Sequence, residues 1–313
     1  MRLNLKKIFW EITSECDNCC TYCGTRDVSH IINHDSIVRR VLENIIPYLP
    51  EEIQIGGGDP LLVDVNTHKF IVDKLRPTTR CEIMINPKSD LKIETVKLYA
   101  LVYISLNDLE ELDAYEIKWK DKIHEENIPH VFVTNFNLLN FFLVEKISKV
   151  VKDKLWHIGF TIYGDLNSSL ALYRQDVALQ KLNSSLSEIA ETHNICIENN
   201  ANCEYCTAGI HSLGLLYDGS VVPCLSMRFW CVVRKEMQGN ILYEKLKDIW
   251  YKKFEKQRFT DWFCCKNQCK NKIIDIRKQG IVLRELPQQI LIGDIGDVID
   301  CVVNYPALER KKD

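Results

Sequence analysis

The chain has 313 residues, 46% of them hydrophobic, which is enough for one large domain or two ordinary ones with a buried core. Its 40 basic and 43 acidic residues leave a net charge of −3, so a nucleic-acid partner is not indicated. No run of eighteen apolar residues and no signal-peptide pattern occurs. A cytoplasmic protein without a membrane partner is therefore expected.

Apolar runs typical of strands alternate with segments of helical spacing through the first 195 residues. Strands are predicted at 7–13, 52–55, 81–86, 101–106, 130–135 and 156–163, and helices at 34–49, 65–76, 90–99, 109–126, 138–153 and 167–192. These six β-then-α units predict an α/β fold, a partial (β/α)6 TIM-like barrel with a parallel sheet covered by helices. Ligands of such folds bind at the carboxyl ends of the strands.

The alternation stops at about residue 195, and most of the remaining cysteines follow. We therefore predict a barrel domain at 1–195, a small cysteine-rich domain at 196–285 and a C-terminal tail of unknown role at 286–313. Within the second segment, residues 213–224 read as a hairpin that turns at Asp218 and Gly219. Residues 239–250 read as a turn followed by a short helix.

Eleven of the 14 cysteines form two groups, one early and one late in the chain, while Cys81 and Cys196 are isolated and Cys301 follows the late group. Clustered thiols in a reducing compartment usually bind metal, so two metal sites are predicted. The first group contains Cys16, Cys19, Cys20 and Cys23 and directly follows the first strand. The second group contains Cys203, Cys206, Cys224, Cys231, Cys264, Cys265 and Cys269.

The first group permits two interpretations. Cys16, Cys20 and Cys23 can ligate three irons of a four-iron cluster and leave the fourth iron open. Alternatively, all four thiolates bind one zinc ion. Zinc would require the adjacent residues Cys19 and Cys20 to reach one metal, and it would not explain the "GGGDP" that follows the second strand at 56–60.

The cysteine spacing, Tyr22 before the third cysteine and the "GGGDP" segment together resemble the radical S-adenosylmethionine (radical SAM) superfamily. That family carries Gly-Gly-Glu-Pro at this place, and here Asp59 replaces the glutamate. The resemblance implies a [4Fe–4S] cluster with an open iron on Cys16, Cys20 and Cys23. It also implies a cofactor site for S-adenosylmethionine formed by Tyr22, Gly57, Gly58, Asp59, Asn86, Ser105, Asn107 and Thr134. Polar residues at strand ends also commonly serve as helix caps.

The second group resembles the SPASM or twitch domain that holds auxiliary iron–sulfur clusters. The similarity includes Cys206, Gly219, Cys224, the Gly-Asn-Ile at 239–241 and the Ile-Trp at 249–250. The resemblance implies one auxiliary cluster, because cysteines expected for a second one are absent from the pattern. Candidate ligands are Cys203, Cys206, Cys224, Cys265 and Cys269, and the set among them stays open. A zinc ribbon is the alternative.

The resemblance implies an oxidoreductase that cleaves S-adenosylmethionine to a 5′-deoxyadenosyl radical. This radical would remove hydrogen from a substrate C–H bond. An auxiliary cluster able to accept an electron favours net oxidation, by dehydrogenation or bond formation. The electron for cleavage would come from a reductase such as flavodoxin or ferredoxin. The sequence assigns no hydrogen donor and no base, so epimerisation stays an alternative outcome.

The substrate is the least determined part of the prediction. Fifteen residues precede Cys16, so an N-terminal leader-binding domain is not expected, and a small polar metabolite is predicted as substrate. One alternative is a peptide-modifying maturase with a separate leader-binding partner. Another is a non-catalytic zinc or iron–sulfur protein. Iron analysis of reconstituted protein and a test for 5′-deoxyadenosine would separate the enzyme from that last class.

Overall fold

The computed structural model describes residues 3–18, 34–136, 140–151, 156–163, 195–197, 209–223, 225, 238–255 and 289–292. The chain falls into two compact units, each treated separately below. Unit 1 comprises residues 1–105, 110–131 and 207–260, and unit 2 comprises residues 106–109, 132–206 and 261–313.

The strands and helices alternate through the first half of the chain, as the periodicity predicts. The strands are β1 Lys7–Thr13, β2 Glu52–Gly57, β3 Arg80–Ile85, β4 Leu101–Ser105, β5 His130–Phe136, β6 Trp156–Tyr163, β7 Ile195–Ile197, β8 Ser212–Leu215, β9 Ser220–Val222, β10 Gly239–Asn240 and β11 Gln289–Ile292. The helices are α1 His34–Ile45, α2 Val65–Leu75, α3 Ile93–Val96, α4 Leu109–Ala114, α5 Lys120–Glu125, α6 Val144–Val151 and α7 Leu246–Asp248.

In unit 1 the strand order is β10–β9–β8–β1–β2–β3–β4. Strands β1 to β4 pair in parallel, and β8 also pairs in parallel with β1. β8 and β9 form the predicted hairpin, and Gly219 has a φ of +82° at its turn. Because the parallel strands run side by side, the segments that follow β1, β2, β3 and β4 leave the sheet at the same edge.

One face of this sheet is apolar and packs under helices. Trp10, Ile55, Ile83 and Val102 are register partners across four strands and are all buried. Helix α1 contacts β1, helix α2 contacts β3, and the two helices contact each other. Since successive side chains in a strand point to opposite faces, the polar residues between these positions lie on the other face.

That other face contains a row of charged residues near the amino ends of the strands, in which Glu82 is buried. Lys7 pairs with Glu52, and Arg80 Nε lies 2.9 Å from Glu82 Oε1. Glu82 is only 1% exposed. Burial raises the pKa of Glu82, and the negative charge of Glu52 raises it further, against the opposing effect of Arg80.

Three predicted helices differ from the observed elements. The helix predicted at 90–99 is a single turn, Ile93–Val96, because the chain forms turns on both sides of it. The helix predicted at 109–126 consists of α4 and α5 joined by a π-helical turn at Tyr115–Trp119. The one predicted at 138–153 is α6, preceded by a 3-10 turn at Phe141–Leu143. The helix predicted at 167–192 lies outside the described residues.

In unit 2, β6 pairs in parallel with β5 and with β7. It also pairs antiparallel with β11, which belongs to the segment predicted as a tail at 286–313. β7 and β11 were not among the predicted strands. Among the residues that the structure describes, no helix is long and apolar enough to cross a membrane.

Replacing Glu82 by glutamine is expected to stabilise the protein more strongly as the pH rises. Because the pKa of Glu82 is raised in the folded state, its contribution to stability is fully present below the pKa of the unfolded carboxyl group. It is lost as the pH rises through the folded pKa. Glutamine does not titrate, so the difference in Tm, variant minus wild type, should grow between about pH 4 and about pH 8. Thermal unfolding followed by circular dichroism measures this difference.

Glu51→Gln is the matched control, because the Glu51 side chain is 71% exposed and pairs with Lys6 at the surface. Its Tm difference from wild type should stay nearly constant over the same pH range. The same pH slope in both variants would contradict the role assigned to Glu82.

Candidate functional site

The first predicted metal ligand lies just beyond the carboxyl end of β1. The strand ends at Thr13, and Cys16 follows with an exposed side chain. The Cys16 Sγ lies 3.6 Å from the backbone oxygen of Asn18. Cys20, Tyr22 and Cys23 lie outside the described residues, so their roles stay predictions. Cys16 itself is located at the sheet edge where ligands of parallel α/β folds bind.

The backbone after β2 is fixed to this same cysteine loop. The N–H of Gly58 donates to the Thr13 carbonyl at 2.7 Å, and the N–H of Asp59 donates to the Glu15 carbonyl at 2.6 Å. A Cβ on Gly58 would lie 2.1 Å from the Glu15 oxygen, and one on Gly57 would lie 2.4 Å from the Thr13 oxygen. Gly57 also has a φ of +124°, which favours glycine. Both glycines are therefore required by the close approach of the loop itself.

Asp59 is buried, and its carboxylate stabilises the adjoining turn. Its Oδ1 accepts from the Leu61 N–H at 2.9 Å and caps the 3-10 turn Pro60–Leu62. Burial raises the pKa of Asp59, and a hydrogen bond with Ser89 partly offsets this effect. These contacts give the side chain a structural role, and its contact with a cofactor stays a prediction.

Ser89 connects Asp59 to the cysteine loop. Its Oγ accepts from Asn18 Nδ2 at 2.8 Å, which leaves its own hydroxyl hydrogen for the Asp59 carboxylate. The Ser89 carbonyl accepts from Trp119 Nε1 at 3.2 Å, and that indole is fully buried. Asn18 and Ser89 were not singled out by the sequence pattern. The only signal for them is that both are polar and follow the ends of predicted strands.

Two predicted cofactor residues meet on a buried carboxylate that the sequence pattern did not indicate. Asn86 Nδ2 donates to Glu111 Oε1 at 2.7 Å, and Ser105 Oγ donates to Glu111 Oε2 at 3.3 Å. Glu111 lies on α4 and is 0% exposed. The Asn86 Oδ1 also accepts from the Lys88 N–H at 2.9 Å. The structure thus joins the ends of β3 and β4 through Glu111.

Within unit 2, the two other predicted cofactor residues are buried. The carbonyl of Asn107 accepts from Asn140 Nδ2 at 2.5 Å. The Thr134 hydroxyl oxygen accepts from Trp156 Nε1 at 2.8 Å. Both residues therefore have structural partners inside this unit, and their contact with S-adenosylmethionine stays a prediction.

The predicted auxiliary ligands all lie outside the described residues: Cys203, Cys206, Cys224, Cys265 and Cys269. The segments next to them in the chain are described. Asn240 Nδ2 donates to the Asp218 carbonyl at 3.1 Å, so β10 holds the hairpin turn of β8 and β9. A Cβ on Gly239 would lie 2.4 Å from Ile249 Cγ1, so the helical segment packs directly on this glycine.

Comparison with protein families identifies the cysteine-rich segment. Residues 203–271 match the SPASM family, described as an iron–sulfur cluster-binding domain. This range lies inside the predicted segment 196–285 and includes all five predicted auxiliary cysteines. A search of the curated proteins gives no match to this chain.

Comparison with solved structures identifies the fold. Streptococcus suis SuiB bound to S-adenosylmethionine has a TM-score of 0.59 at 14% identity, over 86% of this chain and 71% of that chain. The protein anSMEcpe with bound AdoMet has a TM-score of 0.62 at 15% identity, over 85% of this chain and 83% of that chain. Further structures contain SuiB with the precursor peptide SuiA and anSMEcpe with AdoMet and the Kp18Cys peptide.

These findings confirm the α/β fold class predicted from sequence, because the chain shares its fold with the SuiB and anSMEcpe structures that contain S-adenosylmethionine. They also confirm the predicted similarity of the C-terminal cysteine-rich segment to the SPASM iron–sulfur cluster-binding domain. At this level of identity the solved structures show the fold alone, and the reaction and substrate are addressed below.

Replacing Gly58 by alanine is expected to destabilise the protein by about 2–3 kcal/mol, because the new Cβ would overlap the Glu15 carbonyl. It should also lower the iron content of anaerobically reconstituted protein, since the cysteine loop must move. Thermal unfolding and iron analysis measure the two effects. Gly56→Ala is the matched control, because its Cβ would meet only Met84 Cβ at 3.8 Å. Equal iron content in both variants would contradict this account of the loop.

Proposed function

We propose that this protein is a radical SAM enzyme that oxidises a C–H bond of a polar substrate with the help of one auxiliary iron–sulfur cluster. The proposal assigns the barrel to residues 1–195 and the auxiliary cluster domain to 196–285. The observation that carries it is the pair of backbone hydrogen bonds from Gly58 and Asp59 to the carbonyls of Thr13 and Glu15 in the cysteine loop. This contact brings together the two motifs on which the sequence resemblance depends.

The described residues fit the proposed cluster and cofactor. Cys16 presents an exposed thiol, which is the type of ligand that iron–sulfur clusters require. Cys16, Cys20 and Cys23 would hold a [4Fe–4S] cluster with one open iron. When bound together, the cluster and S-adenosylmethionine supply a 5′-deoxyadenosyl radical that can remove hydrogen from an unactivated C–H bond.

The chain itself contributes position and surroundings. The backbone of the Gly57–Asp59 segment would lie against the methionyl part of the cofactor. We assign Tyr22, Asn86, Ser105, Asn107 and Thr134 as further cofactor contacts. Glu111 would orient Asn86 and Ser105, since it accepts a hydrogen bond from each of them.

The SPASM cysteines would give the substrate radical a nearby electron acceptor, which suits net oxidation. In a dehydrogenation, the substrate would lose one hydrogen atom to the 5′-deoxyadenosyl radical, which would become 5′-deoxyadenosine, then one electron to the acceptor and one proton to a base. We assign Cys203, Cys206, Cys224, Cys265 and Cys269 as candidate ligands. We expect the protein to act in the cytoplasm with a reductase such as flavodoxin or ferredoxin.

Two substrate classes are proposed. A small polar metabolite is the substrate class predicted from the sequence. A peptide is supported by the structures of SuiB with a precursor peptide and of anSMEcpe with a bound peptide. Both classes require the same cofactor chemistry, so the cofactor test comes first.

Replacing Cys16 by alanine is expected to remove about four of about eight irons from anaerobically reconstituted protein, because one of its two clusters loses a ligand. Formation of 5′-deoxyadenosine after reduction with dithionite should fall to background. Cys81→Ala is the control, since Cys81 is buried in β3 and burial raises the pKa of its thiol to about 11. Wild-type protein with about two zinc ions, or Cys16→Ala with full iron and full cofactor cleavage, would overturn the proposal.

Oxidation by dehydrogenation should give a product about 2 Da lighter than the substrate, with one 5′-deoxyadenosine for each turnover. Mass spectrometry of reactions with sugars, nucleosides and peptides measures both quantities and identifies the substrate class. Reactions in D2O distinguish epimerisation from oxidation. An epimerised product would have the same mass as the substrate when formed in H2O and would contain one deuterium when formed in D2O. A product of unchanged mass with deuterium incorporated would replace oxidation by epimerisation.

A further inference from the structure

A buried histidine contacts the turn that contains the glycine motif from the side of the covering helices. His68 lies on α2 and is 0% exposed. Its Nε2 lies 2.8 Å from the Pro60 carbonyl oxygen, and its Nδ1 lies 2.5 Å from the hydroxyl oxygen of Tyr99. Pro60 directly follows Asp59 in the "GGGDP" segment. The imidazole thus connects this segment to the chain just before β4.

The chemistry of these partners fixes the direction of both hydrogen bonds. A carbonyl oxygen can only accept, so Nε2 of His68 must carry the hydrogen. In a neutral imidazole Nδ1 is then the acceptor, and Tyr99 donates its hydroxyl hydrogen to it. Burial lowers the pKa of His68, which keeps the ring neutral, and burial raises the pKa of Tyr99, which keeps the donor protonated.

The turn that His68 contacts is the same turn whose N–H groups hold the cysteine loop. Gly58 and Asp59 donate to the loop from one end of the turn, and the Pro60 carbonyl is held by His68 at the other end. Pro60 also accepts from the Val63 N–H at 3.2 Å. The pyrrolidine ring fixes φ at Pro60, and the hydrogen bonds from His68 and Val63 hold its carbonyl, so the backbone next to Asp59 has little freedom to rotate.

We propose that His68 is a positioning residue that sets the orientation of the Gly57–Pro60 segment for binding S-adenosylmethionine, with Tyr99 fixing its tautomer. The role rests on the proposed function, because it assumes that this segment contacts the cofactor. His68 touches neither the cysteine loop nor the glycines in the described structure, and it acts through the Pro60 carbonyl. Because the hydrogen bonds from Gly58 and Asp59 to the cysteine loop do not involve His68, we expect its loss to lower cofactor affinity while the loop stays held and the clusters still assemble.

Two variants separate positioning from a general effect on stability. In His68→Gln the amide nitrogen can occupy the place of Nε2, so the hydrogen bond to Pro60 is kept and the acceptor for Tyr99 is lost. In His68→Asn the amide can occupy only the place of Nδ1, so the hydrogen bond to Pro60 is lost. Each variant loses one of the two hydrogen bonds, and we expect both to lower Tm by a similar amount.

The experiment measures the Kd of S-adenosylmethionine by equilibrium dialysis with reconstituted protein, together with iron content and Tm. We expect His68→Asn to weaken binding about tenfold and His68→Gln to stay within about threefold of wild type, with iron content unchanged in both. S-adenosylmethionine should also change the EPR spectrum of the reduced cluster. In His68→Asn this change should require about tenfold more S-adenosylmethionine than in wild-type protein. Tyr99→Phe, which keeps the Pro60 contact, should resemble His68→Gln.

Binding by His68→Asn within twofold of wild type would overturn the inference. Equal weakening in His68→Asn and His68→Gln would also overturn it, because affinity would then follow stability alone. Wild-type protein that assembles its clusters but fails to bind S-adenosylmethionine would instead refute the proposed function, and this inference would fall with it.

Discussion

Two hydrogen bonds between backbone segments organise the site. The N–H groups of Gly58 and Asp59 reach the carbonyls of Thr13 and Glu15, and no side chain larger than hydrogen fits at the point of closest approach. Buried peptide groups need partners, so each segment satisfies the other. This contact also determines where the exposed Cys16 lies, because the loop that contains Cys16 leaves β1 at the point where the turn after β2 is hydrogen-bonded to it. Every further role proposed for the turn depends on that arrangement.

The strands were predicted closely because their pattern is local. β1 was predicted at its observed bounds, Lys7–Thr13, since an apolar run there ends at polar residues. The helix predicted at 90–99 was mostly wrong because its spacing is weak and the preceding residues form turns. Motif resemblance singled out both the glycine segment and the cysteine loop. It did not reveal that the N–H groups of Gly58 and Asp59 bind the loop backbone.

The buried polar residues of the site could not be predicted, because burial depends on contacts far apart in sequence. Asn18 and Ser89 are 71 positions apart and share a hydrogen bond. Glu111 lies in the first turn of α4, where an acidic residue is ordinarily explained by the helix dipole and by solvent. The sequence does not show that Glu111 is completely buried, because its hydrogen-bond partners Asn86 and Ser105 come from other parts of the chain. His68 likewise looks like one polar position on an amphipathic helix.

The parallel pairing of β8 with β1 has a consequence for how the chain reaches its native state during translation. β1 leaves the ribosome well before its partner β8, which spans Ser212–Leu215 and is made about 200 residues later. Until then one edge of β1 presents unpaired peptide groups, which are prone to pair with other chains. The nascent sheet of unit 1 thus keeps this edge unpaired until the segment matched to the SPASM family is synthesised. Such delayed closure makes folding slow and favours shielding of the early strands by chaperones.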